Sequence, residues 1–416
     1  MGRTWLRPAW AALLALGLSI APAAAQGGAG QGAAARDRPE LQAQSLRVGS
    51  FIARPELAAD VGYLSNVFAV NANRQDDFVF GVRSGLSLAS DWSRHAVRGR
   101  FRSESLFFTE FGTENRTNFT GDLETRIDLG RTTSVGAGAV FRQQVDPRTS
   151  PETPLEARTL VEFDSRAAYV FASRAINRLR LSARGERTSF DFTPIETVGD
   201  GVLPLDDRDR VVWEARGRID YAVSPDTRLF FEGLWNRRDF ETVPASGIER
   251  DSTGQTFLAG FETELGRLLR GEFSVGYLRQ DFAEETVGVV AGPAARVALE
   301  YFPTRLTTVR LDSTRRVLDT GVELGAGIVA SEVNLQLDHE LRRSLIVSAG
   351  GGWRRLSFRG LERADRFLDA EAGVRYLLNR RVEVGALYRY QTGASTVPTG
   401  RDFDLHSARL SLRVRA

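Results

Sequence analysis

The chain of 416 residues contains no cysteine, and none of its 55 basic side chains is a lysine, so every cationic residue is an arginine. Without cysteine there is no disulfide framework, no thiolate metal site and no cysteine nucleophile. Histidine is nearly absent too, at three residues, and there is a single methionine. Charge of either sign is not in excess: 55 basic residues face 53 acidic ones, a balance that argues against a nucleic-acid-binding surface. Helical periodicity is missing throughout. No segment beyond the N-terminus offers the 18 or so uninterrupted apolar residues of a membrane-spanning helix. What is plentiful is glycine, at 40 residues, and phenylalanine, at 25, a composition suited to strands.

The N-terminus reads as an export signal. "MGRTWLRPAWAALLALGLSIAPAAAQ" has Arg3 and Arg7, an apolar stretch from Ala9 to Ile20, and Ala23-Ala24-Ala25 before Gln26. That order of charged, apolar and small residues predicts a signal peptide over 1–25, since the apolar stretch is too short for a roughly 20-residue span. Residues 26–50, beginning with the low-complexity "QGGAGQGAAARDR", are expected to be a flexible linker. The remainder, 51–416, reads as one domain.

Within it one pattern recurs. In "VVWEARGRIDY" (211–221), Val211, Trp213, Ala215, Gly217, Ile219 and Tyr221 alternate with Val212, Glu214, Arg216, Arg218 and Asp220. Strict period-2 alternation makes a strand with one apolar and one polar face. About eighteen such segments, each 9 to 15 residues long, follow residue 53. Soluble strands average near 5 or 6 residues, whereas a tilted membrane-spanning strand needs about 9 to 11. Connections alternate in length as well. Short ones such as "SDWSRH", "GRT", "LGRL", "FPTR", "LRRS" and "LNRR" separate long ones at 64–76, 109–118, 143–158, 189–209, 237–254, 280–293 and 391–402, with shorter members of the same phase near 313–320 and 357–364. Outer-membrane barrels alternate short periplasmic turns with longer external loops in this way. The expected fold is therefore all-β, a transmembrane antiparallel up-and-down barrel of about 18 strands. Its apolar face meets lipid and its charged face the lumen. Slipping the 211–221 strand by one residue would put its arginines in hydrocarbon at about 2–4 kcal/mol each near the midplane, which pins the register. Aromatics towards strand ends (Trp213, Tyr221, Phe230 to Trp235, Tyr388 and Tyr390) suit interfacial girdles.

Sites for chemistry are few. His95 and His339 fall at periplasmic turns and His406 beside an external loop, so they do not converge as a lipase or lipid A deacylase would require. The "GAG" and "GGG" runs at 136–138, 325–327 and 350–352 lack the following helix and Lys-Ser/Thr of a phosphate loop, and read as strand glycines that relieve crowding. Asp206 and Asp207 are expected in a solvated loop. No catalytic residue, metal ligand or cofactor site is expected. The functional candidates are pore-lining: Arg98, Arg100, Arg102, Arg126, Arg178, Arg180, Arg184, Glu214, Arg216, Arg218 and Arg389. They either brace the barrel by pairing with acids such as Glu124, Glu186 and Glu383 or form a polar track for an anionic or hydroxyl-rich solute.

The phrases "GYLSNVF" (62–68), "SDWSRHAV" (90–97), "RDRVVWEARGRIDYAVSPDTRLFFEG" (208–233), "YFPTRLTTVRLDSTRRVLDT" (301–320) and "YLLNRRVEVGALYRYQ" (376–391) resemble the type-2 β-barrel porin family of Gram-negative outer membranes. The resemblance spans nearly all of 51–416. It implies a porin-like protein without enzymatic activity, tied to exopolysaccharide export or surface assembly, with outer-membrane lipid, the barrel-assembly machinery and a polysaccharide or small anionic solute as partners. A general diffusion porin and a non-conducting structural or adhesion barrel are the alternatives. The chain departs from the usual barrel ending, an aromatic residue, by closing on Arg415-Ala416.

Overall fold

The structure, a computed structural model, describes residues 32, 33, 36, 38, 40, 41, 43–285, 288–320, 327–398 and 400–416. The expected signal peptide lies outside the described residues, as does most of the low-complexity stretch after it.

Eighteen antiparallel strands of 12 to 16 residues run from Phe51–Leu64 to Phe403–Arg415, each paired with its sequence neighbour. The last pairs with the first, from Glu56 opposite Arg415 to Leu64 opposite Ser407, so the sheet closes on itself. Closure lets the backbone of the wall satisfy itself without water, which is what a lipid-facing sheet requires. Helix among the described residues is confined to two single 3-10 turns, Gly112–Glu114 and Asp206–Arg208. Turns at one end are tight. Gly130 and Gly266 have φ of 86° and 57°, and His95 and Asn177 also adopt left-handed backbone, as short hairpins demand. At the other end the connections are mostly longer, at 65–76, 109–115, 147–160, 193–209, 241–251 and 396–402.

The outward face is apolar and unburied. Leu410 and Val170 are 63 % and 62 % exposed, and Trp213, Ile219 and Tyr221 share that exposure while Asp220 on the opposite face is buried. One aromatic expectation fails: Phe230 points inward, 5 % exposed, under the Arg218 guanidinium 3.7 Å from its ring centre. It is directly opposite Asp220, so register places it on the lumen face.

Apolar packing is concentrated at the long-loop end, where one hairpin leaves the wall. Its strands are Thr307–Leu318 and Gly327–Arg342. Pairing of Thr307–Leu318 with the preceding strand, Val289–Thr304, reaches only Arg296 opposite Thr314. Past that point the hairpin bends into the barrel, and Val317, Leu318 and Ile328 to Ala330 are covered on both faces. Val317 packs on Leu258, Leu278 and Ala294, and Val329 on Phe282 and Val290. On the other side Leu318, Ile328 and Ala330 meet Leu356, Phe358, Phe367, Phe403 and Leu405. A strand covered on both faces loses its alternation, and "GIVA" (327–330) is accordingly an unbroken apolar run.

At the short-turn end the chain before the first barrel strand is held by the wall. Leu46–Val48 folds back on Phe51–Ala53. The Ala33 amide donates to Thr308 Oγ1 at 2.6 Å, and buried Arg38 pairs with buried Glu340 at 2.7 Å.

Candidate functional site

Alternation along each strand delivers charge to the lumen, and cross-strand register decides which charges meet. Arg218 bonds Asp220 and Glu272, both at 2.8 Å, with Glu232 and Glu262 each 3.8 Å away. Arg296 joins Glu232 at 2.8 Å and Glu272 at 3.5 Å. Further round the wall Arg310 sits between Glu300 at 3.2 Å and Asp338 at 2.6 Å, and Arg83 grips both oxygens of Asp60 at 2.7 and 2.6 Å. These are planar donor forks matched to carboxylates, the geometry arginine supplies and lysine does not.

Ten of the eleven expected lumen residues lie on inward faces. Arg98, Arg100 and Arg102 stand exposed on Ala96–Phe108, opposite Glu124, Asp122 and Thr120, and Arg100 bonds Asp122 at 3.2 Å. Arg126 pairs with Asp128. Arg180 alternates with outward Leu179 and Leu181. Arg184 bonds Glu186 at 2.7 Å and stacks 3.6 Å from the Tyr169 ring centre. Arg389 bonds Glu371 at 2.7 Å. Glu214 faces Glu186 and Arg216 faces Arg184, so like charges stand opposite each other and compensation runs along the strands instead. Arg216 has no ion pair within 4 Å among the described residues. Arg178 is the correction: it lies in the two-residue turn after Ile176, because left-handed Asn177 has already ended the strand. The histidines stay apart. His95 accepts from the Asp128 amide, His339 contacts Thr307, and His406 contacts Tyr388. Asp207 is engaged by Arg250.

Sequence reading missed the arginines that close the external mouth. The loop 147–160 starts between Thr133–Asp146 and Val161–Ile176 but is fastened to the far wall. Arg363 donates to the Pro151 carbonyl at 3.1 Å, and Arg401 to the Thr153 and Phe68 carbonyls at 3.3 and 2.8 Å. Arg148 anchors its base, bonding Glu114 at 2.7 Å and the Ala157 carbonyl at 2.6 Å. Burial, with Arg148 adding repulsion, pulls the Arg401 guanidinium down to about 10, so it stays cationic at neutral pH. The inward hairpin is gripped at its tip. Asp319 lies between Arg238 at 2.5 Å and Arg210 at 2.8 Å, while Arg250, its side chain wholly buried, reaches the Thr320 carbonyl at 3.2 Å and Asp207 at 2.6 Å. Burial opposes the charge on Asp319, yet Arg238 and Arg210 hold its carboxyl below the usual carboxylate range. No local motif marks these arginines, since Glu114, Asp207 and Asp319 lie 34 to 109 residues in sequence from the arginines that meet them and the carbonyls belong to the backbone.

A closed barrel with a lipid-facing apolar band, an ion-paired interior and a loop and hairpin folded into one mouth defines an outer-membrane β-barrel of the porin class. The chain belongs to the family described as "Putative beta-barrel porin 2", whose model matches residues 38–416. Among solved structures it is similar to OccK2 (OpdF) of Pseudomonas aeruginosa, at 11 % identity and TM-score 0.48, covering 87 % of this chain and 98 % of that one. Acinetobacter baumannii OccAB3 is similar at 10 % identity and TM-score 0.46, covering 88 % and 99 %. A BenF-like porin of Pseudomonas fluorescens Pf-5 is similar at 11 % identity and TM-score 0.45, again covering 88 % and 99 %. None of the curated proteins matches the chain.

Proposed function

We propose that the barrel passes small hydrophilic solutes across the outer membrane, reached after export under the signal of residues 1–25 and insertion by the barrel-assembly machinery. The observation that carries this reading is the external mouth. Loop 147–160 is bolted across it, and Val317, Leu318 and Ile328 to Ala330 of the 307–342 hairpin stand inside it, covered on both faces. A polysaccharide chain would need both displaced, whereas small solutes need only the wetted paths along the charged wall. Exopolysaccharide export, implied by resemblance alone, gains no support from this interior. Arg98, Arg100, Arg102, Arg126, Arg180, Arg184, Glu214, Arg216, Arg218 and Arg389 would form the polar track, with exposed Arg98 and Arg100 biasing it towards anions.

Planar-bilayer recording tests the proposal. The expected result is small single-channel conductance that is insensitive to added polysaccharide, with anion preference reduced when Arg98 and Arg100 are both replaced by alanine. Absence of any conductance favours a filled structural barrel, and block by anionic oligosaccharide would restore the polysaccharide reading.

A further inference from the structure

The outward face is not apolar everywhere. At the long-loop end, arginines on the lipid side fall into two groups. On one flank three have a carboxylate two residues away on their own strand, Arg166 with Asp164 at 3.4 Å, Arg237 with Asp239 at 2.7 Å, and Arg279 with Asp281 at 2.7 Å, while a fourth, Arg187, lies 5.6 Å from the Trp213 ring centre instead. On the other flank the corresponding partners are missing. Arg355 and Arg366 are directly opposite each other across the strands Leu345–Arg359 and Ala364–Leu377, and both are exposed. Their same-face neighbours two residues away are Trp353 and Ser357, and Ala364 and Leu368. The register row continues through Ser331 to Arg315, also exposed. None of the three has an ion pair among the described residues.

Like charges directly opposite on a sheet destabilise it, and a carboxylate two residues along would relieve them as it does on the other flank. The next row towards the midplane is Val333, Trp353 and Leu368, all exposed and apolar. The arginine row therefore sits at the boundary between hydrocarbon and headgroup on the external side, where a tryptophan marks the interface. Charge complementarity selects the occupant: a doubly charged anion carried at headgroup depth, beside acyl chains that cover Trp353 and Leu368. Guanidinium forks match phosphate oxygens bidentately.

We propose that Arg355 and Arg366, flanked by Arg315 and Ser331, form a binding site for a phosphate group of a phosphorylated glycolipid in the external leaflet. The bound phosphate would replace the missing carboxylates and dock this flank of the barrel against one lipid species.

The test uses the full-length barrel, purified in detergent and folded as judged by heat-modifiable migration. It is mixed with a bisphosphorylated glycolipid, its dephosphorylated counterpart, or inorganic phosphate, and retained lipid is read by native mass spectrometry. The expected outcome is retention of the bisphosphorylated lipid, at least tenfold weaker binding of the dephosphorylated form, and a similar loss in R355Q/R366Q. The same double variant, relieved of like-charge repulsion, should melt at a temperature equal to or above the parent in lipid-free detergent but gain less from added lipid. Replacing Arg166 and Arg237 by glutamine is the control and should leave retention unchanged. Equal retention of both lipids, or of parent and R355Q/R366Q, overturns the proposal. Inorganic phosphate competing at the same concentration as the lipid would show an anion site without lipid recognition and overturn it too.

Discussion

Arg401 shows how much one side chain does here that is not ion pairing. Its guanidinium donates to the Phe68 and Thr153 carbonyls, tying loop 65–76, loop 147–160 and loop 396–402 together without a carboxylate partner. Hydrogen bonds from a charged donor contribute roughly 1.5–3 kcal/mol. Arg401→Ala should therefore lower the unfolding free energy by about 2 kcal/mol in urea titration, and raise channel conductance as loop 147–160 loosens. Asp319 acts the other way, as an anion held between Arg210 and Arg238. Its folded-state carboxyl ionises below the ordinary range, so the stability it contributes is fully present above about pH 4 and is lost as pH falls through the folded value. Acidification should release the hairpin tip, seen as a conductance rise below about pH 4 that Asp319→Asn abolishes by releasing the tip at every pH.

At the scale of the element, the strand Thr133–Asp146 explains its own glycines. Gly136 and Gly138 face inward, directly opposite Phe171 and Tyr169, whose rings lie over them. A methyl on Gly138 would meet the Tyr169 ring at 2.4 Å. That ring carries the Arg184 stack and donates its hydroxyl to Glu124 at 3.1 Å. Gly138→Val should displace Tyr169 and cost about 1–3 kcal/mol, an overpacking penalty measurable as an earlier loss of heat-modifiable migration. Reading these glycines as relief of crowding was possible from sequence; naming the rings they accommodate was not, because Tyr169 lies 31 positions away and register alone brings it opposite.

The whole molecule inverts the usual distribution, with apolar side chains outward and a charged interior, and among the described residues its buried apolar clusters lie towards the long-loop end. Unboiled and boiled samples should migrate differently on gels, and the unboiled form should resist protease except at external loops; identical migration would refute the closed barrel. Strand number, the lipid and lumen faces and the order of short and long connections were legible in the sequence because each is written in nearest-neighbour alternation: a side chain two residues on points the same way whatever the rest of the chain does. "VVWEARGRIDY" shows this, with Trp213, Ile219 and Tyr221 outward and Glu214, Arg216, Arg218 and Asp220 inward. Phe230 was misplaced because an aromatic at a strand end fits either face until register is known. Pairing could not be read at all. Whether Arg218 is neutralised depends on Glu232, Glu262 and Glu272 from other strands, and whether the mouth is open depends on Arg363 and Arg401 reaching carbonyls across the barrel. Sequence by itself determined the wall and its two solvents, since periodicity is local. Only the tertiary structure decided what fills the mouth and which arginines are left unpaired, since closing eighteen strands brings together residues that no spacing along the chain connects.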